Sequence, residues 1–351
     1  MSIISPSDDD ASPGLAAYST GHQFTPGKVR TRVPAFINPS AETRPRGPAG
    51  RVARILAFLA GLLLTQIALA SSVLVLLSES GGAYSEFADA LKAERSTRGG
   101  FSLVVLTRAE FSPADVAASD LVVAVGAGAL RTLAQSDTGV PVLGVLVPQS
   151  AYESVIGGGD GRRWSAIHID QPFYRQVELI RQALPDVRRI GVLNDGAHPE
   201  RLQPLKAVLS GTPLQLVAGS FVGESSLFAA LSQVLEQADV FLALPDPLVH
   251  NAGTVRNLLL TSFRAGVPVV GFSAAYSRAG ALMSLYSTPE QIARQTTDVI
   301  AGWLRDRTWP APRHPRYFTV SVNTHVARSL GLRIDDGEVL RDRLMRQEKL
   351  P

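Results

Sequence analysis

The chain has 351 residues, 45% apolar and 19% charged, which is material for a large core and too long for one ordinary domain, so two lobes or domains are expected. The pI near 9.3 overstates its basicity, because seven of the 34 Lys/Arg and four of the 31 Asp/Glu fall in residues 1–70, leaving 27 of each sign over 71–351. That neutral remainder excludes a nucleic-acid binder needing surplus cations for phosphates, and the absence of cysteine excludes a disulfide framework, thiolate metal sites and a lipoprotein anchor. Residues 1–50 are rich in Pro, Ser, Asp and Arg without periodicity, and read as a disordered leader or as sequence upstream of the true start, with Val29, Val33 or Val52 as alternative initiation sites. Residues 51–70 read as a signal peptide: Arg51 and Arg54 precede the apolar run "ILAFLAGLLLTQIALA", and Ala68-Leu69-Ala70 is an A-x-A site with cleavage expected after Ala70. The alternative is a retained N-terminal anchor, since no charge appears from Ile55 to Ser78. Either way the bulk of the chain is exported.

From residue 72 strands and helices alternate. "SVLVLL" (72–77), "FSLVVL" (101–106), "LVVAVG" (121–126) and "VPVLGVLVP" (140–148) are strands, with helices expected at 84–94, 114–118 and from residue 127. Short, continuously apolar strands between helices predict a parallel sheet covered on both faces. The pattern restarts with helix 172–185, strand "RIGVLND" (189–195), helix 199–209, strand "LQLVAGS" (214–220), helix 224–237 and "VFLALPDP" (240–247). Beyond it come "GVPVVGFS" (266–273), "GALMSLYS" (280–287) and a helix over 289–306 begun by Ser287 or Thr288 with Pro289 in its first turn. "RYFTVSVNTHVARSLGL" (316–332) adds a strand and a short helix, and 336–351 reads as a charged surface tail. The predicted fold class is therefore α/β: two doubly wound parallel-sheet lobes, with the later elements crossing back to make a multi-strand hinge. The expected boundaries are 71–169 plus about 275–308 for lobe one and 170–274 plus about 309–335 for lobe two.

Ligands of such sheets bind beyond the C-terminal ends of the strands. On that rule the candidate ligand-binding residues are Ser78 and Ser80 after the first strand, Gly126 and Ala127 after the third, Asn194 after the first strand of lobe two, and Asp246 and Asn251 after its third. Tyr276, near the expected lobe crossing, is the candidate to stack on a ligand or to pack the hinge. The helix opening at Gly126 offers N–H groups to an anion. Asp246, fixed between Pro245 and Pro247, suits an ammonium or hydroxyl group, with a helix cap as the plain alternative.

No catalytic or metal motif stands out. Gly126-x-Gly128 lacks the rest of a dinucleotide fingerprint, "GGGDG" (157–161) lacks a P-loop lysine, no G-x-S-x-G elbow is present, and the six histidines show no paired metal spacing. No cofactor and no enzymatic step is expected.

The segments "VGAGALRTLA", "SAIHIDQPFYRQVELIRQALPDVRRIGVL" and "ALPDPLVHNAGTVRNLLLTSFRAGVPVVGFSAAYSRAGALMSLYSTPEQIARQ" resemble the periplasmic substrate-binding proteins of ABC transporters, in the tryptophan/tyrosine-type or uncharacterised branch. The resemblance spans most of 72–335. It implies the type I periplasmic-binding fold, a small-molecule ligand between lobes that close on it, an ABC transporter permease as partner, and periplasmic localisation. Ser78, Gly126, Asn194, Asp246, Asn251 and Tyr276 match its cleft positions, whereas the acidic, Gly-rich loop "SESGGAYSEF" departs from an amino-acid binder. The alternatives are an exported sensor of the same fold that signals to a membrane partner, and an α/β enzyme with an unrecognised site.

Overall fold

The computed structural model describes residues 71–348 apart from 99, 137–138, 158–162, 246–248 and 250–252. Lobe one is built on β1 (Ser71–Leu77), α1 (Gly82–Arg98), β2 (Phe101–Thr107), α2 (Pro113–Ala117), β3 (Leu121–Val125), α3 (Gly126–Gln135), β4 (Val142–Val147), α4 (Gln149–Ile156) and β5 (Trp164–His168). Its sheet has the order β2-β1-β3-β4-β5, every pair parallel. The continuous apolar runs follow from burial on both faces. Val73, Val75, Leu77 and Val123 pack with Phe87 and Leu91 of α1, while Leu74, Leu76, Val122 and Ala124 pack with Leu130 and Leu133 of α3. Alternate residues of one strand thus feed two different cores.

Lobe two follows with α5 (Phe173–Ala183), β6 (Arg189–Asp195), a 3-10 turn (Pro199–Leu202), α6 (Gln203–Leu209), β7 (Gln215–Phe221), α7 (Glu224–Leu235), β8 (Val240–Leu242), α8 (Val255–Arg264), β9 (Val269–Gly271), α9 (Ala274–Ala279) and β10 (Met283–Tyr286). After β10 comes α10 (Pro289–Asp306), then β11 (Thr319–Val322), α11 (Thr324–Ser329) and α12 (Gly337–Glu348). The second sheet has the order β11-β10-β9-β8-β6-β7, parallel except for the antiparallel edge pair β10–β11.

The chain passes between the lobes three times, which makes the expected multi-strand hinge. It leaves lobe one after His168, returns at Ser287, and crosses again through 309–318, where Ile167 bridges Arg313 in parallel. Helix α10 belongs with lobe one, since Ile292, Ile300 and Trp303 share a core with Val73 and Phe87. Thr288 caps it, accepting from the Gln291 N–H at 3.2 Å in a capping box with Pro289 in the first turn.

Two expectations differ from this arrangement. The exchange into lobe one comes at Ser287 rather than near 275, because β9, α9 and β10 all stay with the second sheet, where Leu282, Met283 and Leu285 are buried. The C-terminal segment is a helix rather than a surface tail. Leu340 and Leu344 lie one turn apart on α12 and are buried against the core that holds Val320 and Ile180.

Candidate functional site

In each sheet the strand order reverses once, and chain reversal opens a crevice at the strands' C-terminal ends. In lobe one the reversal falls between β1 and β3, and in lobe two between β6 and β8. Ser78 follows β1 and Gly126 begins the helix after β3; Asn194 lies at the end of β6 and Pro245 follows β8.

The lobe-one crevice is held by one hydroxyl. Ser78 Oγ donates to the Val125 carbonyl at 2.8 Å and accepts from the Ala129 N–H at 2.9 Å, joining segments 47 and 51 residues apart. Gly126 sits at φ +85°, and a Cβ there would lie 2.6 Å from Ser78 Oγ and 2.8 Å from the Tyr84 ring, so only glycine fits the approach. Helix α3 has no side-chain cap. The first-turn amides of a helix have no intrahelical partners, and Ser78 takes the one at Ala129. Arg108 Nε donates to the Ser78 carbonyl at 2.9 Å, and its guanidinium carbon lies 3.2 Å from where a Gly128 Cβ would stand. Positive charge therefore gathers at the start of α3, with Ala127 half-buried beside it. Ser80 is exposed and lines a neighbouring pocket of ≈450 Å³ with Glu79, Tyr84, Leu146 and Ile169. Burial, and then the Glu79 charge, raise the Tyr84 phenol above its ordinary pKa. Leu146 has φ +51° where the β4–β5 register shifts, an uncommon backbone state for leucine at the edge of this pocket.

In lobe two Asn194 is buried, and its Nδ2 donates to the carbonyls of Asp195 at 2.7 Å and His198 at 3.2 Å. Asp195 Oδ1 in turn accepts from the Ala197 N–H at 3.0 Å. Tyr276 lies in α9 within the lobe-two core, its ring 4.8 Å from that of Phe272. Burial raises its phenol well above the ordinary value. Tyr276 therefore packs inside lobe two. Asp246 and Asn251 lie outside the described residues.

The structure adds two arginines that sequence reasoning missed. A cavity of ≈610 Å³ has lobe-one walls that include Arg131 and Gln135 of α3 and Ser150 and Ser154 of α4, and lobe-two walls from Arg201 and Pro245. Pattern alone does not distinguish an arginine over a cleft from one on any solvated helix face.

The hinge is cross-braced. Arg175, 3% exposed, donates from Nη1 to Gln171 Oε1 at 2.6 Å and to the Pro315 carbonyl at 3.0 Å, and pairs through Nε and Nη2 with the Glu348 carboxylate. Gln171 Nε2 donates to Ser287 Oγ at 2.9 Å, and Ser287 Oγ donates to the Tyr317 carbonyl at 2.6 Å. All three crossings and the C-terminal helix are thereby tied together. Beside them His168 stands edge-on to Tyr152 at 5.4 Å and to His314 at 6.0 Å. Burial, and then the His314 charge, push its pKa down to about 4. Burial raises the Asp170 carboxyl, although Asp170 Oδ2 accepts from the Gln149 N–H at 2.7 Å.

Comparison with known proteins agrees with this architecture. A family model described as ABC transporter substrate binding protein matches residues 117–339, more than half of the chain. A substrate-binding protein with adhesive properties from Clostridium difficile, in a ligand-free, open structure, is similar at TM-score 0.62 and 14% identity, covering 76% of this chain and 97% of its own. An ABC domain in complex with L-Trp from Streptococcus pneumonia is similar at TM-score 0.54 and 17% identity, covering 77% of this chain and 98% of its own. A conserved domain protein from Vibrio cholerae is similar at TM-score 0.54 and 20% identity, with 78% of this chain and 98% of its own covered. Comparison with curated proteins gives no match. Two parallel-dominant sheets, a hinge of three crossings and a family match over more than half its length agree: the chain belongs to the ABC transporter substrate-binding protein family, solute-binding proteins of the type I periplasmic-binding fold.

Proposed function

We propose that this protein is exported, captures a small molecule between its two lobes and delivers it to the permease of an ABC importer. The observation that carries the reading is the placement of both topological switch points: Ser78 with Gly126 in one sheet, Asn194 with Pro245 in the other. A cavity with walls from both lobes supports it. Export is supported by the sequence of residues 51–70, a basic flank, an apolar run and the A-x-A site Ala68-Leu69-Ala70. On this reading Ser78, Ser80, Gly126 and Ala127 form the lobe-one side. Asn194, Asp246, Asn251 and Tyr276 form the lobe-two side, with Asn194 and Tyr276 shaping the wall from within. Native mass spectrometry of protein from the cell envelope tests the proposal. The expected result is a mature chain beginning at Ser71 that carries one small molecule, released on unfolding and rebound by the refolded protein. A cytosolic chain beginning at Met1 with no specifically retained molecule would contradict it.

A further inference from the structure

We propose that the solute held between the lobes carries a carboxylate or phosphate group, and that Arg131 and Arg201 grip it from opposite walls; this rests on the solute-binding reading above. Arg131 stands on the second turn of α3 in lobe one, and Arg201 in the 3-10 turn after β6 in lobe two. Both are exposed, and both line the same ≈610 Å³ cavity, a volume suited to a small metabolite. Among the described lining residues the two guanidiniums are the only charges, and the polar partners Gln135, Ser150 and Ser154 are neutral. Glu200, the neighbour of Arg201, is turned to His198 at 3.1 Å and does not line the cavity. The charge carried by the described lining residues is therefore positive.

Guanidinium presents a planar fork of donors that matches the paired oxygens of carboxylate and phosphate. Arg201 has a further partner within the protein, and five N–H donors let it serve both. The placement of one cation on each lobe also couples binding to closure. Two like charges across an empty cleft oppose its narrowing, and an oxyanion between them reverses that sign. The ligand therefore binds the closed arrangement better than the open one, which is what a ligand must do to shift the equilibrium.

Inorganic phosphate and succinate, titrated into the ligand-stripped protein by calorimetry and phosphorus NMR, test the site. Saturable binding is expected, weakened about tenfold or more by Arg131→Gln and by Arg201→Gln, since a hydrogen bond to a charged group is worth about 1.5–3 kcal/mol. Melting temperatures should match, both side chains being exposed. Tighter succinate assigns a carboxylate and tighter phosphate a phosphate group; either supports the site. No saturable binding at tens of millimolar, or equal affinity in both variants, overturns it. Lobe contraction driven by a neutral solute, with no anion binding, would overturn the anion site and leave solute binding standing. Anion binding that depends on both arginines, without contraction by any solute, would support the site and remove the proposed function.

Discussion

Arg175 at the hinge is 3% exposed and fully engaged with Gln171, Pro315 and Glu348, whereas Arg131 and Arg201 stand exposed over the cavity between the lobes. The same side chain is used in two ways, and the difference is burial. A buried guanidinium is stable only when its donors are satisfied, so the hinge fixes the relation of three chain crossings. An exposed guanidinium keeps its water until a ligand displaces it, so the cleft stays available. Ser78 lies between these extremes, half-buried and spent on holding two loops together, and it shapes the crevice rather than reaching into it.

The comparison predicts where substitutions act. Arg175→Met should destabilise the protein by about 3–5 kcal/mol, the loss for removing one partner of a buried pair, because Glu348, Gln171 and Pro315 are left unmatched. Denaturant unfolding measures this; a loss below about 1 kcal/mol, within the range of exposed ion pairs, would show that the brace is not structural. At the rim, Gly126→Ala should lower stability by about 2 kcal/mol through its positive φ and its contacts with Ser78 and Tyr84. It should also abolish retention of the co-purified solute, whereas an alanine variant that unfolds and binds as the parent does would remove this crevice from the site.

The smallest effect is on pH dependence. The folded His168 is held near 4, below the ordinary 6.5, so the unfolded chain takes up the proton first and stability falls as pH drops through that window. Alone this corresponds to about 3 kcal/mol. Asp170, raised by burial, is favoured by acid in the folded state and opposes it, so the net loss is smaller than that of His168 alone. Melting curves across that range should fall for the parent and flatten for His168→Asn; parallel curves would refute the assignment.

The fold was legible because its strands are buried on both faces: "SVLVLL" and "LVVAVG" are uniformly apolar, and the restart after residue 170 marks the second lobe. Legibility ended where structure depends on distant neighbours. Strand Met283–Tyr286 reads the same in either sheet, and nothing local marks the exchange at Ser287. Helix α12 buries only Leu340 and Leu344 of its leucines and valine while Val339 is exposed, a stripe too thin to separate from a charged tail. Arg175 looks like a surface residue of an amphipathic helix until three crossings close over it. Position after a strand placed Ser78 and Gly126 beside the β1/β3 switch point, but the bonds of Ser78 to residues 47 and 51 positions away belong to the folded chain. Tyr276 was expected near the lobe crossing because that crossing was placed too early.

The central claim is that a solute closes two lobes about this braced hinge. Small-angle X-ray scattering of the mature protein, with and without the co-purified solute, tests it most directly. The account predicts a smaller radius of gyration at saturating solute and no change with a compound that does not bind; an unchanged radius at demonstrated saturation would contradict it.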